Sequence, residues 1–145
     1  MTTIVLDANV GLALVVPLSY SDRVQDLVQE WCEQEVGFAV PALWGYEVDS
    51  GLRKAVVSGV LTEAEAHAAL QSLWALDIQE IPATLDRHTR ALAWAKLLNQ
   101  TVAYDAQYTV VAEELQAPLW TADRRLADAA RSVGAEWVHW IGDRT

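Results

Sequence analysis

The chain has 145 residues, a formal charge of −10 and 52% hydrophobic residues, seven of its residues being Trp. This composition excludes a disordered chain. It also argues against a basic face that binds nucleic acid non-specifically, although bound metal ions can supply positive charge locally. A single cysteine, Cys32, excludes an intramolecular disulfide, so we expect a reducing environment such as the cytoplasm.

The N-terminal residues lack the basic start and the long apolar core of a signal peptide. The apolar run from Val10 to Leu18 is too short to cross a bilayer and contains Pro17. We therefore expect a cytoplasmic protein that makes no membrane contact.

Strand-like and helix-like segments alternate along the chain, which predicts an α/β fold. We expect a three-layer α/β/α sandwich around a mainly parallel sheet. In the first part of the chain the pattern predicts strands at 3–7 and 38–40 and helices at 9–16, 20–35 and 42–57. The helix at 20–35 is indicated by apolar residues at helical spacing, namely Val24, Leu27, Val28 and Trp31.

Thr62 and Glu65 have the spacing of a capping box and predict a helix that continues to about Leu76. Beyond it we predict strands at 78–81, 101–104 and 118–121, helices at 84–98, 106–115 and 124–133, and a last edge strand at 136–141. Gly134 is expected to end the last of these helices. With no repeat or long linker in the sequence, residues 1–145 are expected to form one domain.

Four acidic residues stand out because of their positions in this pattern. Asp7, Asp105 and Asp123 follow predicted strands, and Glu47 lies in the predicted helix at 42–57. The carboxyl ends of parallel strands share one edge of a sheet, so we expect these side chains to gather there. At about 4 Å and an effective dielectric near 20, two like charges repel by roughly 4 kcal/mol. Mg²⁺ or Mn²⁺ would relieve that repulsion, since both prefer oxygen ligands.

Each acid also has a purely structural interpretation. An Asp that precedes a helix is often its N-cap, which would account separately for Asp7, Asp105 and Asp123. That explanation does not cover Glu47, for which an exposed helix face is the alternative. Ser50, three residues after Glu47, is expected to share its face of the helix.

Four segments carry a family resemblance that runs nearly end to end: 5–9, 41–48, 104–108 and 119–126. In order and spacing they resemble the PIN domain, a family of metal-dependent ribonucleases, many of which are toxins of VapBC toxin–antitoxin systems. The resemblance implies that one or two Mg²⁺ or Mn²⁺ ions are bound by Asp7, Glu47, Asp105 and Asp123, which would be the catalytic residues. Asn9 and Thr121 match polar positions of the family motifs. Ser50 stands where the family often has Asn.

The same resemblance implies an endoribonuclease that cleaves RNA, forms a homodimer and pairs with a small antitoxin protein. The acidic composition would suit a basic antitoxin segment. Two alternatives stay open within the family, a PIN-domain nuclease of RNA processing and a non-catalytic PIN-like binding module. A module of that kind is expected to lose acids, and this chain keeps all four.

Two other classes of protein also place acids at strand ends. A receiver-type phosphoacceptor would need an acidic pair and a Lys after a late strand, and neither Lys54 nor Lys96 is so placed. A haloacid-dehalogenase-like phosphatase would have Asp-x-Asp after the first strand, where this chain has Asp7-Ala8-Asn9. Both classes are therefore disfavoured.

Overall fold

The structure is a computed structural model that describes residues 2–143. Within them no helix is long and apolar enough to pass through a membrane. The elements in chain order are β1 (Thr3–Leu6), α1 (Ala8–Ala13), α2 (Ser21–Glu33), β2 (Gly37–Pro41), α3 (Leu43–Val57), α4 (Glu63–Ala75), β3 (Ile78–Ile81), α5 (Leu85–Leu97), α6 (Tyr104–Leu115), β4 (Leu119–Thr121), α7 (Arg124–Ser132) and β5 (Val138–Trp140).

One five-stranded sheet forms the centre, in the order β3-β2-β1-β4-β5. Every neighbouring pair of strands is parallel. The chain moves from β1 through β2 to β3 in one direction and from β3 through β4 to β5 in the other. Because such crossovers are right-handed, α1 to α4 lie on one face of the sheet and α5 to α7 on the other. The predicted α/β/α architecture is confirmed, with a sheet that is parallel throughout.

The alternation of side chains along the strands builds a core on both faces of the sheet. Val5 and Leu119 point to one face and are fully buried there, as is Tyr108 of α6. Leu6 and Trp120 point to the other face, where the helices α1 to α4 cover them. Burial on both faces explains the near-continuous apolar strands of the sequence.

Most predicted elements are confirmed within a few residues, and the capping box is present. Thr62 accepts a hydrogen bond from the Glu65 amide at 3.1 Å, and the Glu65 carboxylate accepts one from the Thr62 amide at 3.0 Å. The last strand is shorter than predicted but lies at the sheet edge as expected. Gly134 adopts a positive φ of 94° just beyond α7, as predicted for a residue that ends a helix.

The predicted strand at 101–104 is wrong. Residues 101–103 form bends, and α6 begins at Tyr104. The preceding helix ends in a left-handed turn at Asn99, where φ is 55°, and the Gln100 amide bonds back to the Ala95 carbonyl at 2.9 Å. The short segment that follows joins α5 to α6, which pack together as a helical hairpin. An apolar run of this kind therefore serves as a connection and has no place in the sheet.

The helices α1 and α3 pack closely against each other at Gly11 and Trp44. A Cβ atom added at Gly11 would lie 2.8 Å from Cζ2 of Trp44, at the start of α3. The Trp44 ring is buried and stacks on Trp74 with ring centroids 5.6 Å apart, so it has little room to move. Glycine at position 11 thus allows the two helices to approach closely.

We expect Gly11→Ala to lower the free energy of unfolding by about 1–3 kcal/mol, because the new methyl group overpacks against a fixed indole ring. Gly51→Ala is the matched control. Its methyl group would meet only the flexible end of Leu12, and alanine favours a helix by about 1 kcal/mol over glycine. Urea unfolding of both variants measures the difference, and equal loss of stability would contradict the contact.

Candidate functional site

The strands β1 and β4 lie side by side, yet the chain leaves them towards opposite faces of the sheet. In open α/β sheets such a switch in direction opens a crevice at the carboxyl ends of the strands. Asp7 directly follows β1, and Asp123 lies two residues after β4. The fold therefore places two of the predicted site residues at the crevice.

Asp7 is held by hydrogen bonds from neutral side chains. Its Oδ2 accepts one from the Thr121 hydroxyl at 2.8 Å and a longer one from the Asn9 amide at 3.3 Å. Asn9 in turn accepts a bond from the Ala122 amide at 3.0 Å, which ties the end of β1 to the end of β4. Asp7 occupies the N-cap position of α1, but its side chain makes no capping bond in that helix. A cap therefore does not explain its carboxylate.

The position of Asp7 makes its negative charge costly. Only 5% of the residue is exposed, and this burial is the main reason why its pKa rises from 3.8 to about 7. The Thr121 hydrogen bond opposes the rise, while the charges of Asp105 and Glu47 add to it. Asp105 and Glu47 are thus near enough for their charges to act on Asp7.

Glu47 lies half-buried on α3 and is bonded across the site to α6. Its Oε1 accepts a hydrogen bond of 2.6 Å from the hydroxyl of Tyr108, which is fully buried. Burial raises the pKa of Glu47, the Tyr108 bond opposes that rise, and the charge of Asp105 adds to it. Burial also raises the pKa of Tyr108, so the phenol stays a protonated donor. The exposed helix face that the sequence allowed for Glu47 is therefore not where its side chain lies.

Asp105 lies in the first turn of α6, not at the end of a strand as the sequence predicted. It is inside the helix, so it is not the N-cap either. Its Oδ2 accepts a hydrogen bond of 3.0 Å from the side-chain amide (Nε2) of Gln100. Burial is the main cause of its raised pKa, and the nearby charge of Asp123 adds to the effect.

Asp123 has a structural role that the sequence also predicted. Its Oδ1 caps α7 by accepting hydrogen bonds from the amides of Arg125 at 3.0 Å and Leu126 at 3.4 Å. The N-cap interpretation is thus confirmed for Asp123. Its charge nevertheless acts on Asp105, which places it at the margin of the acidic group.

A cleft of about 530 Å³ brings three of the predicted residues together, Asp7, Glu47 and Asp105. Asp123 does not line it. Ser50 lines the cleft, as expected for a residue on the same helix face as Glu47, and Lys54 is the one cationic side chain among its lining residues. The walls are completed by Ala8, Asn9, Leu12, Leu43, Tyr46, Gly51 and Tyr104.

The donor chemistry of this cleft suits a divalent cation. Its carboxylate oxygens are the hard ligands that Mg²⁺ and Mn²⁺ prefer. A cation would also stabilise the negative charges that burial and mutual repulsion make costly. Among residues 2–143, however, no three His, Cys, Asp or Glu side chains already stand in ligating positions. Shared binding of one ion therefore requires some of these acids to turn.

Two residues of this site escaped the sequence analysis, Tyr108 and Gln100. Tyr108 lies three residues after Asp105, and that helical spacing would have placed both on one face if α6 had been predicted to begin at Tyr104. Gln100 carries no comparable signal, because the turn that brings it to Asp105 depends on the hairpin of α5 and α6.

Comparison with known proteins identifies relatives, although no protein-family model matches the chain. Ribonuclease VapC3 of Pyrobaculum aerophilum is 34% identical over 129 residues, which cover 86% of this chain and 92% of that protein. Ribonuclease VapC1 of Mycobacterium tuberculosis is 38% identical over 90 residues, or 61% of this chain and 65% of the relative.

Solved structures share the fold at lower sequence identity. PAE2754 from Pyrobaculum aerophilum matches with a TM-score of 0.68 and 23% identity, over 97% of this chain and 84% of that chain. A toxin–antitoxin complex from Klebsiella pneumoniae matches with a TM-score of 0.68 and 17% identity, over 97% of this chain and 99% of that chain. The VapC20 toxin of Mycobacterium tuberculosis, described as cleaving the sarcin–ricin loop, matches with a TM-score of 0.65 and 14% identity, over 87% of this chain and 94% of that chain. From its extended identity with VapC3 and the sheet that it shares with these structures, the chain belongs to the VapC family of PIN-domain ribonucleases.

Proposed function

We propose that this protein is a Mg²⁺- or Mn²⁺-dependent endoribonuclease and the toxin of a toxin–antitoxin pair. The observation that carries the proposal is the meeting of Asp7, Glu47 and Asp105 in one cleft, each with a raised pKa. Relatives named ribonuclease, with identity extending over most of the chain, support the reaction class.

Asp7, Glu47 and Asp105 would hold the metal ion, with Asp123 at the margin. A bound divalent ion lowers the pKa of a coordinated water and stabilises charge on the phosphate. Because the pKa of Glu47 is raised, its carboxylate holds a proton more readily than an ordinary Glu does, which suits a group that accepts a proton from water. Tyr108 and Gln100 fix the orientation of Glu47 and Asp105 through neutral hydrogen bonds.

The proposal includes a small antitoxin as partner and a homodimer as the working form, in the cytoplasm. Structures of toxin–antitoxin complexes among the matches support the first of these. A chain charge of −10 suits a basic antitoxin segment. The gene next to this one tests the toxin role, because an RNA-processing nuclease would have no antitoxin gene beside it and would not arrest growth when expressed.

We expect Asp7→Asn to abolish RNA cleavage while the protein stays folded. The amide can still accept the Thr121 hydrogen bond, but it removes a negative ligand from the cleft. Cleavage of a labelled RNA, with thermal unfolding as the check on folding, measures the effect. Asp49→Asn is the matched control, because Asp49 is exposed and lies outside the lining of this cleft. A folded Asp7→Asn protein that still cleaves RNA would rule out the catalytic role.

In metal-free protein, we expect Asp7 to make folding more favourable as the pH falls. Its folded pKa of about 7 lies above the value of about 3.8 for an unperturbed Asp, so the folded state binds more protons between about pH 7 and pH 4. Paired acids act in the opposite sense. The pKa of Glu114 is lowered by Arg87, so the stability that this acid contributes is lost as the pH falls.

The difference between wild type and Asp7→Asn isolates the contribution of Asp7. We expect wild type to gain stability relative to the variant as the pH is lowered through this range in chelator. Urea unfolding at several pH values gives the two slopes, and parallel curves would contradict the raised pKa of Asp7.

We expect Mg²⁺, and Mn²⁺ more strongly, to raise the melting temperature. A ligand that binds only the folded state adds roughly 2.7 kcal/mol at a hundredfold excess over its Kd. Mn²⁺ binds such ligands more tightly and accepts looser geometry. The shift should vanish in a Glu47→Gln, Asp105→Asn double variant at matched ionic strength. An equal shift in wild type and variant would show that the cation only screens surface charge.

A further inference from the structure

Two exposed tyrosines border the acidic cleft. Tyr46 is 72% exposed and Tyr104 58% exposed, and both line the cleft together with the three acids. Trp74 is the other exposed aromatic residue in the described part of the chain, and it does not line the cleft. Each tyrosine directly precedes an acid, Glu47 or Asp105, so the helix that presents the acid also presents the ring.

Each tyrosine also stands between the acidic cleft and a second cavity. Tyr46 is shared with a cavity of about 440 Å³ that Leu70, Gln71 and Trp74 help to line. Tyr104 is shared with a cavity of about 210 Å³ that is lined mainly by apolar groups, Pro82 and Val110 among them. The acids therefore occupy a central cleft with a ring and a further cavity at each of two borders.

Charge alone gives this cleft little affinity for RNA. Three acids face one cation, Lys54, so without metal ions the phosphate backbone is repelled. Phosphate contacts from cationic side chains normally supply most of the sequence-independent affinity, and the lining of this cleft offers Lys54 alone for them. Stacking of bases on aromatic rings is the other general source of affinity, and it needs no positive charge.

We propose that Tyr46 and Tyr104 stack on two unpaired bases that flank the phosphate to be cleaved. This inference rests on the proposed nuclease function and assigns two residues that would position its substrate. A base within a duplex already stacks on its neighbours and cannot lie on a tyrosine, so these rings can take only unpaired bases. The flanking cavities give the stacked nucleotides room beside the cleft.

Fluorescence of 2-aminopurine tests the stacking without cleavage. A single-stranded oligoribonucleotide that carries this base is titrated into full-length Asp7→Asn protein, and stacking on a ring quenches the signal. We expect Tyr46→Leu and Tyr104→Leu, added separately, each to reduce the quenching and weaken binding roughly tenfold or more. Phe at either position should restore both. Leu92→Ala is the control for loss of exposed apolar surface, because Leu92 is exposed and lines neither the cleft nor the two flanking cavities. Thermal unfolding checks each protein.

Cleavage kinetics in the otherwise wild-type chain give a second measure. The Leu variants should raise KM roughly tenfold with little change in kcat, and a fully paired duplex should be cut poorly by every variant. Unchanged KM and quenching in both Leu variants, in a protein that cleaves RNA, would overturn the stacking and leave the nuclease intact. Quenching that depends on the tyrosines in a protein that cleaves no RNA would support the stacking and overturn the nuclease. Equal effects of Leu92→Ala would also overturn the stacking.

Discussion

The cost of a buried negative charge at Asp7 governs the design of the site. In the described part of the chain, the side chains that donate hydrogen bonds to the three cleft acids are all neutral, namely Asn9, Gln100, Tyr108 and Thr121. A lysine or arginine in any of these places would neutralise its acid and lower the pKa. Neutral donors instead fix the direction of a carboxylate and leave its charge uncompensated. The cleft thus keeps an excess of negative charge that a bound cation can neutralise.

The same hydrogen bonds join the layers of the fold. Thr121 and Asn9 link the ends of β4 and β1, the two strands at which the chain changes direction. Tyr108 extends from α6, on one face of the sheet, to Glu47 of α3, which belongs to the other face. The placement of the acids therefore depends on the correct packing of the two helical layers. A change such as Gly11→Ala, at the contact of α1 with α3 within one layer, acts on the helix that carries Glu47.

The sequence predicted the parts of this site that depend on local order. Asp7 and Asp123 stand between a strand and a helix, and their places at the sheet edge follow from the parallel topology. Asp105 was assigned to the right region for the wrong reason, since the run from Thr101 to Tyr104 is too short to distinguish a strand from a connection. The bond between Tyr108 and Glu47 joins residues 61 positions apart, and only the packed helices bring them together.

Under the proposed function, the acidic cleft makes metal binding and RNA binding depend on each other. The metal-free cleft repels phosphate, so a cation that binds there strengthens RNA binding. By linkage, RNA must strengthen the binding of the cation by the same factor. Stacking on Tyr46 and Tyr104 does not depend on this charge and would hold RNA near the cleft even when metal is scarce. An acidic protein could in this way act on an anionic substrate: the rings would select unpaired bases, and a phosphate in place would strengthen metal binding.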